Sequence, residues 1–144
     1  MFSKACEYGI RAVLHLASET KKGNRISVKE ISNVIDSPIA FTAKILQQLS
    51  RKNIVQAIKG PNGGYELSTE NYQELNIKEI VIAIDGDGIF TNCGLGLTVC
   101  DSNKPCPVHF EFDLIRKQIE QMGTNASLHK LTNKLNLGIT VLKR

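Results

Sequence analysis

Residues 27–67 read SVKEISNVIDSPIAFTAKILQQLSRKNIVQAIKGPNGGYEL, and they contain the clearest signals of secondary structure in the chain. Ser27 followed by Glu30 predicts a capping box, so a short helix starts here. Ser37 and Pro38 predict the start of a second helix, with a capping hydroxyl followed by proline at the first helical position. The short spacing between the two helices is typical of a helix-turn-helix.

A β-hairpin is predicted directly after the second helix. Residues 54–58 and 65–67 form two short apolar stretches, and the residues between them, KGPNGG, are almost all turn formers. A further helix capped by Ser3 precedes the whole arrangement. The sequence therefore predicts a mainly α fold with a small β-hairpin wing, a winged helix-turn-helix, whose second helix can enter the major groove of DNA.

The remainder of the chain extends this unit in two steps. A helix over residues 77–85, which Asn76 and Glu79 are predicted to cap, completes a predicted DNA-binding domain at residues 1–85. Residues 86–107 lack apolar periodicity and form a predicted cysteine-rich, cluster-binding loop. Residues 108–144 form a predicted dimerisation helix followed by a C-terminal helix. The apolar stripe of the dimerisation helix is expected to comprise Leu114, Ile115, Ile119 and Met122.

Composition excludes several classes of protein. The chain has 144 residues, 42% of them hydrophobic, and a net charge of +4, which excludes a large multidomain enzyme and an intrinsically disordered chain. No apolar run is long enough to span a bilayer, and Glu7 interrupts any signal-like N-terminus, so we expect a cytoplasmic protein without membrane contact. Residues 1–67 carry a balance of +5 and residues 68–144 one of −1, which favours an anionic partner for the first half.

The predicted DNA-contacting residues lie on the second helix and in the hairpin loop. Polar and cationic side chains can donate to phosphates and base edges, while glycine allows backbone amides to approach a phosphate closely. An ordinary solvated surface on a ligand-free helical hairpin is the alternative. The candidates are Ser37, Ala40, Thr42, Ala43, Lys44, Gln47 and Arg51 on the helix, and Lys59, Gly60, Asn62, Gly63 and Gly64 in the loop.

Cys93, Cys100 and Cys106 form a second constellation on the predicted loop, and His109 follows them closely. The spacing matches neither the paired motifs of structural zinc sites nor the compact run of bacterial ferredoxins. A metal or iron–sulfur centre, redox-active thiols and a site without function remain open on spacing alone. A metal centre needs a fourth ligand, for which His109 is the nearest candidate and Glu7 a distant one.

These features together resemble one family. The matching segments are residues 3–12, 41–49 and 59–65 together with the three loop cysteines and the segment from Cys106 to His109. They resemble the Rrf2 family of winged helix-turn-helix transcriptional regulators, of the IscR and NsrR type. The resemblance implies a homodimer on double-stranded operator DNA, with a two-iron two-sulfur or four-iron four-sulfur cluster on the three cysteines. The first cysteine gap is six residues, one more than the usual five.

The fourth cluster ligand differs within the family. The resemblance implies either a histidine after the third cysteine or an acidic residue near the N-terminus of the partner subunit, and we predict His109 rather than Glu7. The predicted function is a transcriptional regulator that senses redox, nitric oxide or iron–sulfur status. The alternatives are a cluster-free, thiol-based redox regulator on the same fold and a small iron–sulfur electron-transfer protein. No catalytic arrangement is recognisable, so we do not expect an enzyme.

Overall fold

Helices account for most of the chain, and the computed structural model describes all residues from 1 to 144. The order of elements confirms the predicted mainly α fold with a hairpin wing. The elements are α1 (Lys4–Lys21), α2 (Val28–Ile35), α3 (Ile39–Arg51), β1 (Gln56–Ile58), β2 (Gly64–Glu66), α4 (Thr69–Glu74), α5 (Ile77–Asp85), α6 (Gly88–Thr91), α7 (His109–Asn125) and α8 (Leu128–Asn136). None of these helices is long and apolar enough to cross a lipid bilayer.

Helix starts follow the capping residues of the sequence. The hydroxyl of Ser3 accepts a hydrogen bond from the backbone N–H of Cys6 and so starts α1. Ser27 and Glu30 form the predicted capping box of α2, and Asn76 with Glu79 forms that of α5. These side chains accept hydrogen bonds from backbone N–H groups that have no partner inside the helix. The residue at which each helix starts is therefore determined by its immediate neighbours in the sequence.

The start of α3 differs by one residue from the prediction. Pro38 is the N-cap residue in an extended conformation, and no side chain caps the helix. The hydroxyl of Ser37 instead forms a hydrogen bond with the hydroxyl of Thr42. Asp36, in the left-handed conformation with φ of 54°, ends α2 and turns the chain into α3. The prediction of a Ser37 cap was therefore wrong, because Thr42 engages that hydroxyl.

Two short helices were not predicted. In α4, Ser68 accepts a hydrogen bond from the N–H of Asn71, but six residues are too few to show apolar periodicity. The single turn of α6 lies inside the segment predicted as loop. Both elements depend on packing against their neighbours, because isolated helices of this length are unstable in water.

The core lies around α1, which packs against α2, α3, α5 and α8. Its buried face includes Val13, Leu16 and Ala17, each fully inaccessible. The C-terminal α8 returns to this core: Leu128 is fully buried, and its backbone N–H donates to the carbonyl oxygen of Leu75 at 2.8 Å. The predicted segment boundaries at residues 85 and 107 stay predictions.

The hairpin is attached to the helical core through its second strand. In the antiparallel pair, Ala57 lies opposite Tyr65. The backbone of Tyr65 also exchanges hydrogen bonds with Ile26, at 3.1 and 2.8 Å, so the wing is paired with the segment that precedes α2. This pairing fixes the position of the wing relative to the helix-turn-helix.

Candidate functional site

One face of α3 is solvent-exposed along its whole length. Ala40, Lys44, Gln47 and Arg51 are exposed and recur at the spacing of a single helical face. The opposite face carries the buried residues Ile45, Leu46 and Leu49. Ala43 is half-buried at the edge. A helix with one exposed face can lie in the major groove of DNA and present that face to the bases.

Two side chains that were predicted to contact DNA, one on α3 and one just before it, form hydrogen bonds within the protein instead. Thr42 is only 1% exposed, and its hydroxyl donates to the carbonyl oxygen of Pro38 at 2.9 Å. Ser37 is half-buried and hydrogen-bonded to Thr42. Both side chains fix the turn and the first residues of α3, so they position the exposed face rather than extend it.

The wing presents Lys59, Gly60 and Asn62 to solvent. Gly60 has a φ of 107°, which favours glycine. Gly64 has a φ of 150°, and a Cβ atom there would lie 2.8 Å from the carbonyl oxygen of Ile26. Gly63 and Gly64 are half-buried. Gly64 therefore allows the wing to pack closely against the helical core.

The exposed cations of this surface have no acidic partner in the chain. Lys44, Arg51 and Lys59 form no ion pair, whereas Lys22 and Arg25, which lie elsewhere in the first half, are paired with carboxylates. Unpaired cations on a helix face and an adjacent wing form a surface complementary to phosphates. We call Ala40, Lys44, Gln47, Arg51, Lys59, Gly60 and Asn62 the α3–wing surface.

The cysteine loop brings its four candidate ligands together as two pairs. The Sγ atoms of Cys93 and Cys106 are 3.7 Å apart. The Sγ of Cys100 lies 3.4 Å from Nδ1 of His109. No group of three or more His, Cys, Asp or Glu side chains has the spacing of a single metal site. The four ligands therefore do not surround one point.

The distances within the pairs are those of ligands that share a tetrahedral ion. Two thiolates bound at about 2.3 Å to one tetrahedral ion lie about 3.8 Å apart, and a thiolate and an imidazole nitrogen lie about 3.6 Å apart. The observed 3.7 and 3.4 Å are close to these values. Each pair therefore has the spacing of two ligands of one tetrahedral ion.

Cys93 and His109 are both held by local structure. Cys93 is buried, and hydrogen bonds from the backbone N–H groups of Leu95 and Leu97 lower the pKa of its thiol, with Cys106 contributing less. His109 is the first residue of α7 and is 7% exposed. Its backbone N–H donates to the carbonyl oxygen of Cys106 at 3.0 Å. The third cysteine and the histidine are therefore fixed to each other by the start of α7.

Two residues that the sequence analysis did not single out hold the loop against α7. A Cβ atom at Gly94 would lie 2.5 Å from the ring of Phe112, so only glycine fits beneath this ring. Arg116 is 8% exposed and donates to the carbonyl oxygen of Asn92 at 2.7 Å. Arg116 shares the inward face of α7 with His109 and Gly123, and this periodic position was the available signal in the sequence.

Glu7 and Cys6 are not part of this pair arrangement. Glu7 is exposed on α1 and forms a 2.6 Å ion pair with Lys4, whose hydrogen bond lowers the pKa of the carboxyl group. Within one chain, no hydrogen bond joins Glu7 to the cysteine loop. Cys6 lies in the core, and burial raises the pKa of its thiol to about 12. A thiol of that kind is a poor metal ligand.

The predicted apolar stripe of α7 divides between two faces. Ile119 is half-buried and packs against the core of its own chain. Leu114, Ile115 and Met122 are exposed, with Leu114 at 65%. Phe110 is exposed on the same helix. We call Phe110, Leu114, Ile115 and Met122 the α7 apolar face.

Known proteins similar to this chain are regulators. Residues 2–134 match the Rrf2 family, described as iron-dependent transcriptional regulators. An HTH-type transcriptional regulator of Aquifex aeolicus is 29% identical over 136 residues, which cover 92% of each chain. The HTH-type transcriptional regulator IscR of Photorhabdus laumondii is 24% identical over 88% of this chain and 75% of its own.

Solved structures with a similar fold come from the same kind of protein. IscR of T. potens gives a TM-score of 0.74 at 17% identity, covering 98% of this chain and 92% of that one. CymR of B. subtilis, the global cysteine regulator, gives 0.73 at 19% identity, covering 92% and 96%. These likenesses confirm the winged helix fold. Together with the family match over most of the sequence, they lead to one conclusion: the chain belongs to the Rrf2 family and is a DNA-binding transcriptional regulator, not an enzyme.

Proposed function

We propose that this regulator senses redox, nitric oxide or iron–sulfur status through an iron–sulfur cluster on Cys93, Cys100, Cys106 and His109. The observation that carries the proposal is the pairing of Cys93 with Cys106 at 3.7 Å and of Cys100 with His109 at 3.4 Å. The family description as iron-dependent regulators and the IscR relatives support the same reading. Such a cluster supplies a centre that oxidants, nitric oxide and iron shortage can remove or alter.

The pair geometry favours a two-iron over a four-iron cluster. In a two-iron cluster each iron takes two protein ligands, whereas in a four-iron cluster each ligand binds its own iron. Two separate pairs with the spacing of a shared ion match the first arrangement. A single zinc ion would need at least three ligands around one point, and no such group is present in residues 1–144.

His109 is the proposed fourth ligand. Its Nδ1 faces Cys100, and the position of its ring is fixed by the first turn of α7. Glu7 would have to come from a partner subunit and exchange its ion pair with Lys4. Imidazole is also a softer ligand than carboxylate, which suits a thiolate-bound iron centre.

Operator DNA is the proposed partner of the α3–wing surface. Lys44, Arg51 and Lys59 carry the phosphate contacts in this proposal because they are exposed and unpaired. Gln47 is placed to reach base edges. The remaining predicted contacts are Ala40, Ala43, Gly60, Asn62, Gly63 and Gly64, while Ser37 and Thr42 act through the position of α3.

A homodimer completes the proposal, with the α7 apolar face as its interface. The four large apolar side chains of this face are exposed on a helix of 17 residues, and a second copy of the same face is an occupant of matching chemistry. A two-fold dimer would present two α3 helices to half-sites about 34 Å apart. The cysteine loop lies directly before α7, so its state can change the spacing of the two helices.

The test is anaerobic purification followed by visible absorbance and measurement of iron and acid-labile sulfide. We expect a coloured protein with equal amounts of iron and sulfide. Cys93→Ala, Cys100→Ala and Cys106→Ala each lose the cluster, whereas Cys6→Ala, which removes the core thiol, retains it. His109→Ala loses it and Glu7→Ala does not. A colourless protein, or one that holds zinc without sulfide, would overturn the proposal.

The thiol-based alternative rests on one observation, the 3.7 Å separation of Cys93 and Cys106. Hydrogen peroxide could oxidise this pair: the two thiols give up two hydrogens and two electrons, one disulfide bond forms, and the peroxide is reduced to two waters. Peroxide-dependent loss of two free thiols in a protein that holds no iron would favour this function. An electron-transfer protein has no use for the α3–wing surface, and nothing in the site favours it.

A further inference from the structure

Arg116 is a buried cation beside the cysteine loop. It lies on the inward face of α7 and is 8% exposed, and one guanidinium nitrogen donates to the carbonyl oxygen of Asn92, the residue before Cys93. A buried guanidinium requires compensation by hydrogen bonds and by negative charge. The carbonyl supplies the first requirement but not the second.

The nearest carboxylate does not balance this charge. Asp113 lies 3.5 Å from Arg116, at the outer limit of a hydrogen bond, but only 2.7 Å from the exposed Lys117. The hydrogen bond from Lys117 is the main reason that the pKa of Asp113 lies below its usual range, and Arg116 contributes less. Asp113 is thus shared by two cations and lies closer to Lys117, so it compensates the buried guanidinium only in part.

We infer that Arg116 is the counter-charge of the cysteine centre and a positioning residue for Cys93, an inference that rests on the cluster proposed above. The guanidinium lies on the side of α7 that faces the cysteine loop, where three thiolates would be concentrated. A two-iron cluster on three thiolates and a neutral imidazole carries net negative charge, which increases by one on reduction. A buried cation therefore stabilises the reduced form more than the oxidised form.

The chain offers a matched control in Lys117. It carries the same charge, shares Asp113 and lies one residue further along α7, but its side chain is 71% exposed. Charge in contact with water is screened, so its removal has little effect on a buried centre. Lys117→Met and Arg116→Met therefore compare the same loss of charge at a solvated and at a buried position.

The experiment is a redox titration of the full-length protein after anaerobic cluster reconstitution, monitored by visible absorbance. We expect Arg116→Met to shift the reduced-to-oxidised ratio at least tenfold toward the oxidised form, which for one electron lowers the midpoint potential by about 59 mV. The midpoint potential of Arg116→Lys, which retains a charge, is expected to lie close to the wild-type value. That of Lys117→Met is expected to equal the wild-type value.

Each outcome decides the inference. If Arg116→Met holds the cluster at the wild-type potential, Arg116 is not a counter-charge. If Arg116→Met loses the cluster, the Arg116→Lys variant distinguishes charge from geometry. Retention of the cluster in Arg116→Lys supports the role of charge. Loss of the cluster in both variants contradicts it and shows that the geometry of the guanidinium matters instead. If wild type itself binds no iron and sulfide, the proposed function fails before any variants are compared.

Discussion

The side-chain amide of Gln48 on α3 donates to the backbone carbonyl oxygen of Ala83 on α5, at 3.1 Å. The same nitrogen lies 3.0 Å from the carbonyl oxygen of Ile84. Carbonyls in the last turn of a helix have no partner within that helix, so Gln48 supplies one. The contact joins the helix proposed to read DNA to the helix that leads into the cysteine loop.

The first prediction concerns this contact. Gln48→Ala leaves the last carbonyls of α5 without their side-chain donor, and we expect the free energy of unfolding to fall by about 1 kcal/mol. Gln47→Ala, at the exposed neighbouring position, should leave stability unchanged and weaken DNA binding instead. Urea denaturation and a DNA-binding titration separate the two effects. Equal stability of the two variants would contradict the role of Gln48.

The second prediction concerns the α3–wing surface. Lys44→Ala and Lys59→Ala should each weaken DNA binding and reduce the slope of log affinity against log salt by about 0.9, the value for one lost phosphate contact. Lys130→Ala, an exposed and unpaired lysine on α8, is the control and should bind normally. Normal binding by both surface variants at every salt concentration would place the DNA interface elsewhere.

The third prediction concerns the packing of the wing against Ile26. Gly64→Ala combines an unfavourable φ of 150° with a Cβ atom 2.8 Å from a backbone oxygen, so the wing must separate from Ile26. We expect a loss of about 2 kcal/mol in unfolding free energy. Gly23→Ala has a positive φ but meets no atom within 4 Å, and its cost should be about half as large. Comparable losses would show that backbone strain alone matters.

The fourth prediction is a dependence of stability on pH. Burial lowers the pKa of His15 below 6.5, so the folded chain disfavours its protonated form. Between the folded pKa and 6.5 the unfolded state binds more protons, and stability therefore falls as the pH decreases through this window. The decrease in Tm between pH 7.5 and pH 5.5, measured by thermal melts, should be smaller in His15→Gln than in wild type. An identical effect would contradict the lowered pKa of His15.

The fifth prediction concerns assembly. Leu114→Asp places a charge on the α7 apolar face and should shift the protein from dimer to monomer in sedimentation experiments. Leu137→Asp alters a side chain that is even more exposed but lies beyond α8, and this variant should remain dimeric. A monomeric wild type at micromolar concentration would contradict the dimer, and a dimeric Leu114→Asp variant would move the interface.

Local sequence predicted the elements that local hydrogen bonds define. Ser3, the Ser27–Glu30 pair and the Asn76–Glu79 pair each start the helix that they predict, because a cap and its partner lie within one turn. The glycine-rich stretch before Tyr65 likewise predicted the hairpin, whose register came only from the structure. The resemblance to the Rrf2 family rested on the same recognisable segments, and the family match confirms it.

Only the tertiary structure decided which side chains face outward and which ligands meet. Thr42 was predicted to contact DNA but is 1% exposed, and Ile119 was predicted in the dimerisation stripe but packs against the core of its own chain. The pairing of Cys93 with Cys106 and the buried position of Arg116 depend on how residues 86–107 return to α7. Such contacts depend on the free energy of the whole packed chain. The residues that meet are many positions apart in the sequence, and no hydrogen bond between near neighbours indicates that they will come together.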